Sequence, residues 1–213
     1  MLPLEKIINV KIMALEKLAD FLDNKINNGN DKSLKIVQTI SYWIMDYVKM
    51  LGYENADEEK KFKKYKRGDV IKVNFGHRIG REHGGLHYAI VIDVANNVNS
   101  NTITVIPLSS LKQGVDLNKL GKDRIYIGDE IYKAIVNKSN QITDEGNNKK
   151  GLNKELSRLK IGSIALIGQI TTISKYRIYD PLSTKNVLHG IRVSNTMLTA
   201  LDQKVKELFT NSN

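Results

Sequence analysis

Apolar positions in the first quarter of the chain recur at steps of three and four. Between Leu4 and about Asn28 they are Ile8, Ile12, Leu15, Leu18, Leu22 and Ile26, which share one face of a helix. The polar run NNGND (27–31) ends that pattern. Asp31 or Ser33 can cap a second helix, whose stripe is Ile36, Val37, Ile40, Ile44, Tyr47, Val48 and Leu51 and whose end falls at Gly52. Two long helices joined by a short turn predict an antiparallel helical hairpin. Both are about twice the length used by a helix-turn-helix DNA reader, and the second lacks a basic outer face, so packing or dimerisation is the expected use.

From Arg67 the texture changes to short runs of β-formers broken by glycine and asparagine. They are DVIKVNF (69–75), LHYAIVID (86–93), TITVIPLS (102–109), RIYI (124–127) and SIALIGQITTIS (163–174), a pattern that predicts a strongly bent β-barrel. VANNVNSN (94–101) reads as a hairpin loop and NKSNQITDEGNNKKGLNK (137–154) as a polar, mobile stretch. SNTMLTALDQKVKELF (194–209) has a serine cap and a 3.6-residue apolar period, so a helix closes the pattern. The connector ENADEEKKFKKYK (54–66) switches from acidic to basic, and it separates a helical domain over 1–60 from a β-rich one over 61–213.

Composition narrows the chemistry. The 213 residues carry a formal net charge of +10, unevenly placed: residues 1–66 have 12 Lys/Arg against 10 Asp/Glu, whereas 67–213 have 21 against 13. A basic surplus of this kind suits a polyanion such as nucleic acid, though a solvated basic surface has the same composition. With no cysteine, thiol catalysis and thiolate metal sites are excluded. No apolar run approaches the roughly 18 residues of a membrane span, and charges interleave throughout the N-terminal stretch, so the expected location is the cytoplasm.

The densest group of proton-carrying residues is GREHGGLHYAIVID (80–93), where a glycine-rich loop enters a strand. Alternation puts Leu86, Tyr88, Ile90 and Ile92 on one face, with His87, Ala89, Val91 and Asp93 on the less apolar one. His87 is therefore presented beside the loop, either satisfied by a backbone partner or placed for chemistry. For a metal site, His83-x3-His87 would need a helix to bring its rings to one side, and Gly84-Gly85 opposes that helix. Nor does Gly-Lys-Ser/Thr follow the glycines, as a phosphate-binding loop requires. The expectation is a site without metal or cofactor.

Three blocks in order resemble the PemK/MazF family of toxin endoribonucleases. RGDVIKVNFGHRIGREHGGLHYAIVID (67–93) is similar to the family's opening strand, glycine-rich loop and apolar strand. TITVIPLSS (102–110) resembles the strand ending in its catalytic hydroxyl, and SIALIGQITTISKYRI (163–178) its later Glu-Gln-Ile-Arg-Thr-Ile-x-Lys-x-Arg segment. The resemblance covers about 66–209 apart from 128–158, and leaves out the helical hairpin. It implies an α+β fold: a small SH3-like β-barrel of the PemK type with a C-terminal helix, here preceded by an N-terminal α-helical hairpin.

By position, the resemblance puts His87 where the family has its catalytic arginine, Tyr88 at the following proline and Ser109 at the catalytic threonine, with Ser110 as the register alternative. Glu82 matches the acidic loop residue and Gln169 the glutamine of the later block. His87, Ser109 and Glu82 are thus the expected catalytic residues, and Arg81, His83, Gln169 and Lys175 the expected RNA-binding ones. Histidine in place of arginine remains compatible with the reaction, since it can act as base or acid near neutral pH. The implied activity is cleavage of single-stranded RNA to 2′,3′-cyclic phosphate and 5′-hydroxyl ends, by a homodimer held in check by a cognate antitoxin. A non-catalytic barrel that binds nucleic acid or a protein target, as in the related gyrase poisons, is the competing reading. The hairpin then serves assembly, or covers the RNA groove as a built-in inhibitor.

Overall fold

Pro3 starts the first helix, α1 (Leu4–Asn27), its carbonyl accepting the N–H of Ile7 at 3.1 Å. A computed structural model describes residues 2–56, 61–141, 147–159 and 162–210. Gly29 turns the chain at a φ of 62°, and the Asn30 side chain caps α2 (Asp31–Ala56) by accepting the N–H of Ser33 at 2.9 Å. The cap thus falls one residue before Asp31, and α2 runs past Gly52. Along α1 the predicted stripe stays largely open: Ile12 is 43% and Leu15 59% exposed, with Leu18 and Leu22 half-buried. In α2 only Ile40 of its stripe is buried.

The chain divides into two compact units, Met1–Gly52 and Tyr53–Asn213. The expected boundary at 60/61 adjoins residues 57–60, which lie outside the described ones.

In the second unit the β-rich runs form strands β1 (Val70–Asn74), β2 (Leu86–Val91), β3 (Thr102–Ser110), β4 (Arg124–Gly128), β5 (Ser163–Leu166), β6 (Thr171–Ser174) and β7 (Ile178–Asp180). The run at 163–174, read as one strand, breaks into two around a 3-10 turn at Ile167–Gln169. All pairings are antiparallel, in the order β4-β5-β3-β2-β1-β7, with β6 added to β3. Among the described residues this sheet is bent but not closed into the expected barrel: β4 and β7 end it as unpaired edges.

Strand β3 changes partner along one edge. Thr102–Val105 pair with β6 and Leu108–Ser110 with β5, leaving Ile106 and Pro107 between the two ladders. A proline, having no N–H to donate, is tolerated where a ladder is interrupted.

Both sheet faces are buried, because alternation supplies apolar residues to each. Even-numbered positions Val70, Tyr88, Ile90, Ile106 and Leu108 pack beneath helices α3 (Glu130–Asn140), α4 (Asn147–Leu159) and α5 (Asn195–Phe209), meeting Ile131, Ile135, Leu152 and Leu201. Odd-numbered Ile71, Val73, Phe75, Ala89, Val91, Ile103 and Val105 form a second core with Tyr65, Ile173 and Ile178. The face judged less apolar in β2 therefore has a core of its own.

Two helical segments depart from the sequence reading. Most of the polar stretch 137–154 is helix, the end of α3 and the start of α4; residues 142–146 lie outside the described ones. Leu152 and Leu159 of α4 are buried, and so is Glu155, which binds Lys72 Nζ at 2.7 Å and accepts a hydrogen bond from the Tyr88 hydroxyl. Helix α5 matches expectation, capped by Ser194 accepting the N–H of Met197 at 3.1 Å. No helix among the described residues is long and apolar enough to cross a membrane.

Candidate active site

The loop from Gly76 to Gly85 is closed by backbone. Gly85 N–H donates to the Gly76 carbonyl and Phe75 N–H to the Gly85 carbonyl, both at 2.8 Å. Such closeness needs glycine: a Cβ on Gly84 would lie 2.7 Å from the Gly76 oxygen, and Gly85 holds a φ of 89°. The Phe75 carbonyl accepts from Arg78 Nε at 3.0 Å and from an Arg177 guanidinium nitrogen at 3.2 Å, fixing the start of the loop.

This closure folds His83 back on His87. Their ring centroids are 4.0 Å apart at an interplanar angle of 51°, and the centroid of Phe75 lies 6.0 Å from that of His83, the two rings inclined at 64°. The rings thus meet without a helix, because the loop doubles back. Burial lowers the His83 pKa to about 4, with the neighbouring His87 as the second cause; a backbone hydrogen bond at Leu108 opposes both. Burial also lowers His87, against a backbone hydrogen bond at Gly84. Burial thus favours the uncharged form of both imidazoles, and one nitrogen of His83, Nε2, is buried without a partner.

Beside His83 lies a cleft of about 180 Å³ lined by Arg78, Glu82, His83, Pro107 and the segment 168–171. It forms where β3 leaves β6 for β5, with the intervening turn making its far wall. Gln169 spans it: its Oε1 accepts the His83 N–H at 3.2 Å and its Nε2 donates to the Arg81 carbonyl at 3.3 Å. Arg78 and Glu82 approach each other to 3.7 Å at its rim.

Ser109 follows from the strand register. Val73 pairs with His87, and Ala89 with Pro107, so two residues on from that second pair come His87 and Ser109. Ser109 shares the Pro107 side of β3, while Ser110 falls on the Leu108 side and is exposed.

The structure therefore gathers Glu82, His83 and Gln169 around one cleft, with His87 in contact with His83, Ser109 two residues beyond the cleft-lining Pro107, and the exposed Arg81 on the same loop. Gln169 acts as a clamp, since both ends of its amide are engaged by loop backbone. Lys175 is a correction. It is 2% exposed, and its Nζ donates to the Asn97 carbonyl at 2.7 Å beneath the rings of Phe62 and Tyr65. Pairing of Thr102 with Ser174 carries it to the β2–β3 hairpin end, away from the cleft, where it cannot hold a phosphate. Arg78 was not anticipated: within RIGRE nothing in sequence ranks it above Arg81, and only the loop path turns it to the cleft.

Fold and site together define an α+β protein whose antiparallel sheet presents a histidine pair where a glycine-closed loop enters β2. Residues 66–126, which contain that loop, match the family model described as PemK-like, MazF-like toxin of type II toxin-antitoxin system. The matched segment is similar to that toxin family, and two helices precede it. It is also similar to two solved structures from Deinococcus radiodurans, MazF (form I) and MazE-MazF (form II). Each is 12% identical, with 68% of this chain and 96% of that chain covered, at TM-scores of 0.39 and 0.37. No curated protein matches the chain.

Proposed function

We propose that this protein is the toxin of a toxin-antitoxin pair, an endoribonuclease that cuts single-stranded RNA by transesterification without requiring a metal. The observation that carries this reading is the contact between the cleft-lining His83 and His87, inside the matched segment. Such cleavage needs a base for the 2′-hydroxyl proton, stabilisation of phosphorane charge and an acid for the departing 5′-oxygen. Imidazoles supply the proton carriers, the Arg78 guanidinium the charge, and the Ser109 hydroxyl a hydrogen bond to the phosphate. The products carry a 2′,3′-cyclic phosphate and a 5′-hydroxyl. The protein works in the cytoplasm as a homodimer and is neutralised by a cognate antitoxin; the matched description, a toxin of a type II toxin-antitoxin system, supports the antitoxin. The open apolar stripe of α1 supports an assembly role for the hairpin.

The test is incubation of the purified protein with a long single-stranded RNA in excess chelator, beside His87→Ala, with cut sites and end groups mapped. Discrete cuts with cyclic phosphate ends, lost in the variant, are expected. Intact RNA from folded protein, both as the full chain and after removal of residues 1–60, would move the assignment to a binding module.

A further inference from the structure

We propose that the helical hairpin is where two copies of this chain meet: each lays one apolar face of α1 and α2 on the same face of the other, and together they form a four-helix bundle. The proposal rests on the homodimer of the preceding reading and supplies its interface; it does not depend on RNA cleavage.

The hairpin does not cover its own apolar residues. Among the described residues of the compact unit Met1–Gly52, only Ser33 and Ile40 are buried. The half-buried Leu18 and Leu22 of α1, and Ile36 beside Ile40 of α2, mark the seam between the helices. At about 100° per residue, Ile8, Ile12 and Leu15 lie to one side of that seam on α1, and Leu34, Met45 and Val48 to one side of it on α2. Both groups are turned the same way along their helices, which in an antiparallel pair puts them on one face. Each of the six is 42–60% exposed, and Ala19 and Ser41 lie between them with no charged residue. The opposite face is interrupted by charge: Lys25 Nζ lies there, 5.4 Å from the Phe21 ring centroid.

Area and charge both point to a second copy. Six apolar side chains about half open leave on the order of 500 Å² per hairpin, close to the apolar share of a homodimer interface, roughly 65% of about 800 Å² per partner. A two-helix layer is also half of a four-helix bundle. Nucleic acid is a poor occupant, since residues 1–52 carry seven lysines against six Asp/Glu.

Charge then selects how the copies pair. Beside this face, the outer edge of α1 carries the exposed Glu5, Glu16 and Asp23, whereas that of α2 carries the exposed Lys35 and Lys49, with Asp31 at the turn. Stacking α1 on the partner's α1 would set one acidic edge against another. A two-fold axis parallel to the helices sets α1 on the partner's α2 instead, so that each acidic edge meets a basic one. Asp23 and Lys35 are each six residues from the turn at Gly29 and therefore stand at the same level. This axis brings Asp23 beside the partner's Lys35. Within one chain the same two residues sit on opposite outer edges, with both helices between them.

The chain has no cysteine, so full-length Asp23→Cys and Lys35→Cys variants can be co-expressed and mildly oxidised. We expect a disulfide-linked dimer from the pair and little from either variant alone. Linkage of Asp23→Cys to itself would mean that α1 packs on α1, and no linkage in the pair would mean that these edges do not meet; either result overturns the proposal. Sedimentation of the full chain gives a second reading. Ile12→Glu with Val48→Glu, both at exposed positions, should raise the dimer dissociation constant roughly 100-fold or more, with helix content by circular dichroism unchanged. A chain that is monomeric from the start assigns the face to another partner, and a dimer indifferent to the two glutamates has its contact elsewhere; both refute the bundle. Neither measurement involves RNA, so a failure of the nuclease reading would leave both results standing.

Discussion

A histidine ring packed against a second one, with a phenylalanine ring nearby, loses hydration that its charged form needs. The folded chain therefore resists protonation at His83 down to about pH 4, whereas the unfolded chain protonates near 6.5. Between those values the unfolded state binds more protons, so this contribution to stability is complete above pH 6.5 and is lost as pH falls towards 4. His83 is only half-buried, and solvent screening reduces the size of the effect. We expect His83→Gln to melt about 2–4 °C higher relative to wild type at pH 4.5 than at pH 7.5. Calorimetry at both pH values measures this, and an offset independent of pH would show that the imidazole titrates freely in the folded state. The sequence marked His83 and His87 as proton carriers by type. Their contact was hidden, because it depends on a loop closure that Gly84 permits through a 2.7 Å approach.

At the scale of elements, α4 is fastened to the sheet by a buried ion pair. Lys72 and Glu155 have side chains 13% and 11% exposed, and the Tyr88 hydroxyl donates to the same carboxylate. Removing one member strands the other charge in a poorly hydrated setting. Glu155→Ala should therefore cost about 3–5 kcal/mol in urea unfolding, and Lys72→Met with Glu155→Leu should recover most of it. A single-variant loss below about 1 kcal/mol would show that water reaches Lys72 readily. Nothing in NKKGLNKELSRL distinguishes Glu155 from a solvated surface residue, since the partners that make it internal are 83 and 67 positions away. Local periodicity likewise identified β1 to β4 and α5, yet could not divide 163–174. That division depends on β3 exchanging one neighbour for another at Pro107.

For the whole molecule, the positive surplus is concentrated in 67–213, the part that contains the cleft. If RNA neutralises three or four of these cations, affinity for a single-stranded oligonucleotide should fall roughly 20- to 50-fold between 50 and 200 mM salt. Fluorescence anisotropy measures it, and a flat dependence would mean that phosphate contacts contribute little. The apolar surface of α1 is a separate matter: its stripe was legible as a helix face, but the expected mutual burial of the two helices is incomplete, with Ile12 and Leu15 still open.

What the sequence by itself determined is whatever repeats over a few residues. Helix periods, strand alternation, the Ser194 cap and the residue types able to move a proton are all local, and so are the ordered blocks that resemble the toxin family. Tertiary structure alone decided which of those residues meet. Sheet register put His87 in line with Ser109, ladder exchange at Pro107 opened the cleft, and the same register carried Lys175 into the core. Each of these outcomes depends on pairing between strands far apart in the chain, where one step of register reverses the face a side chain takes.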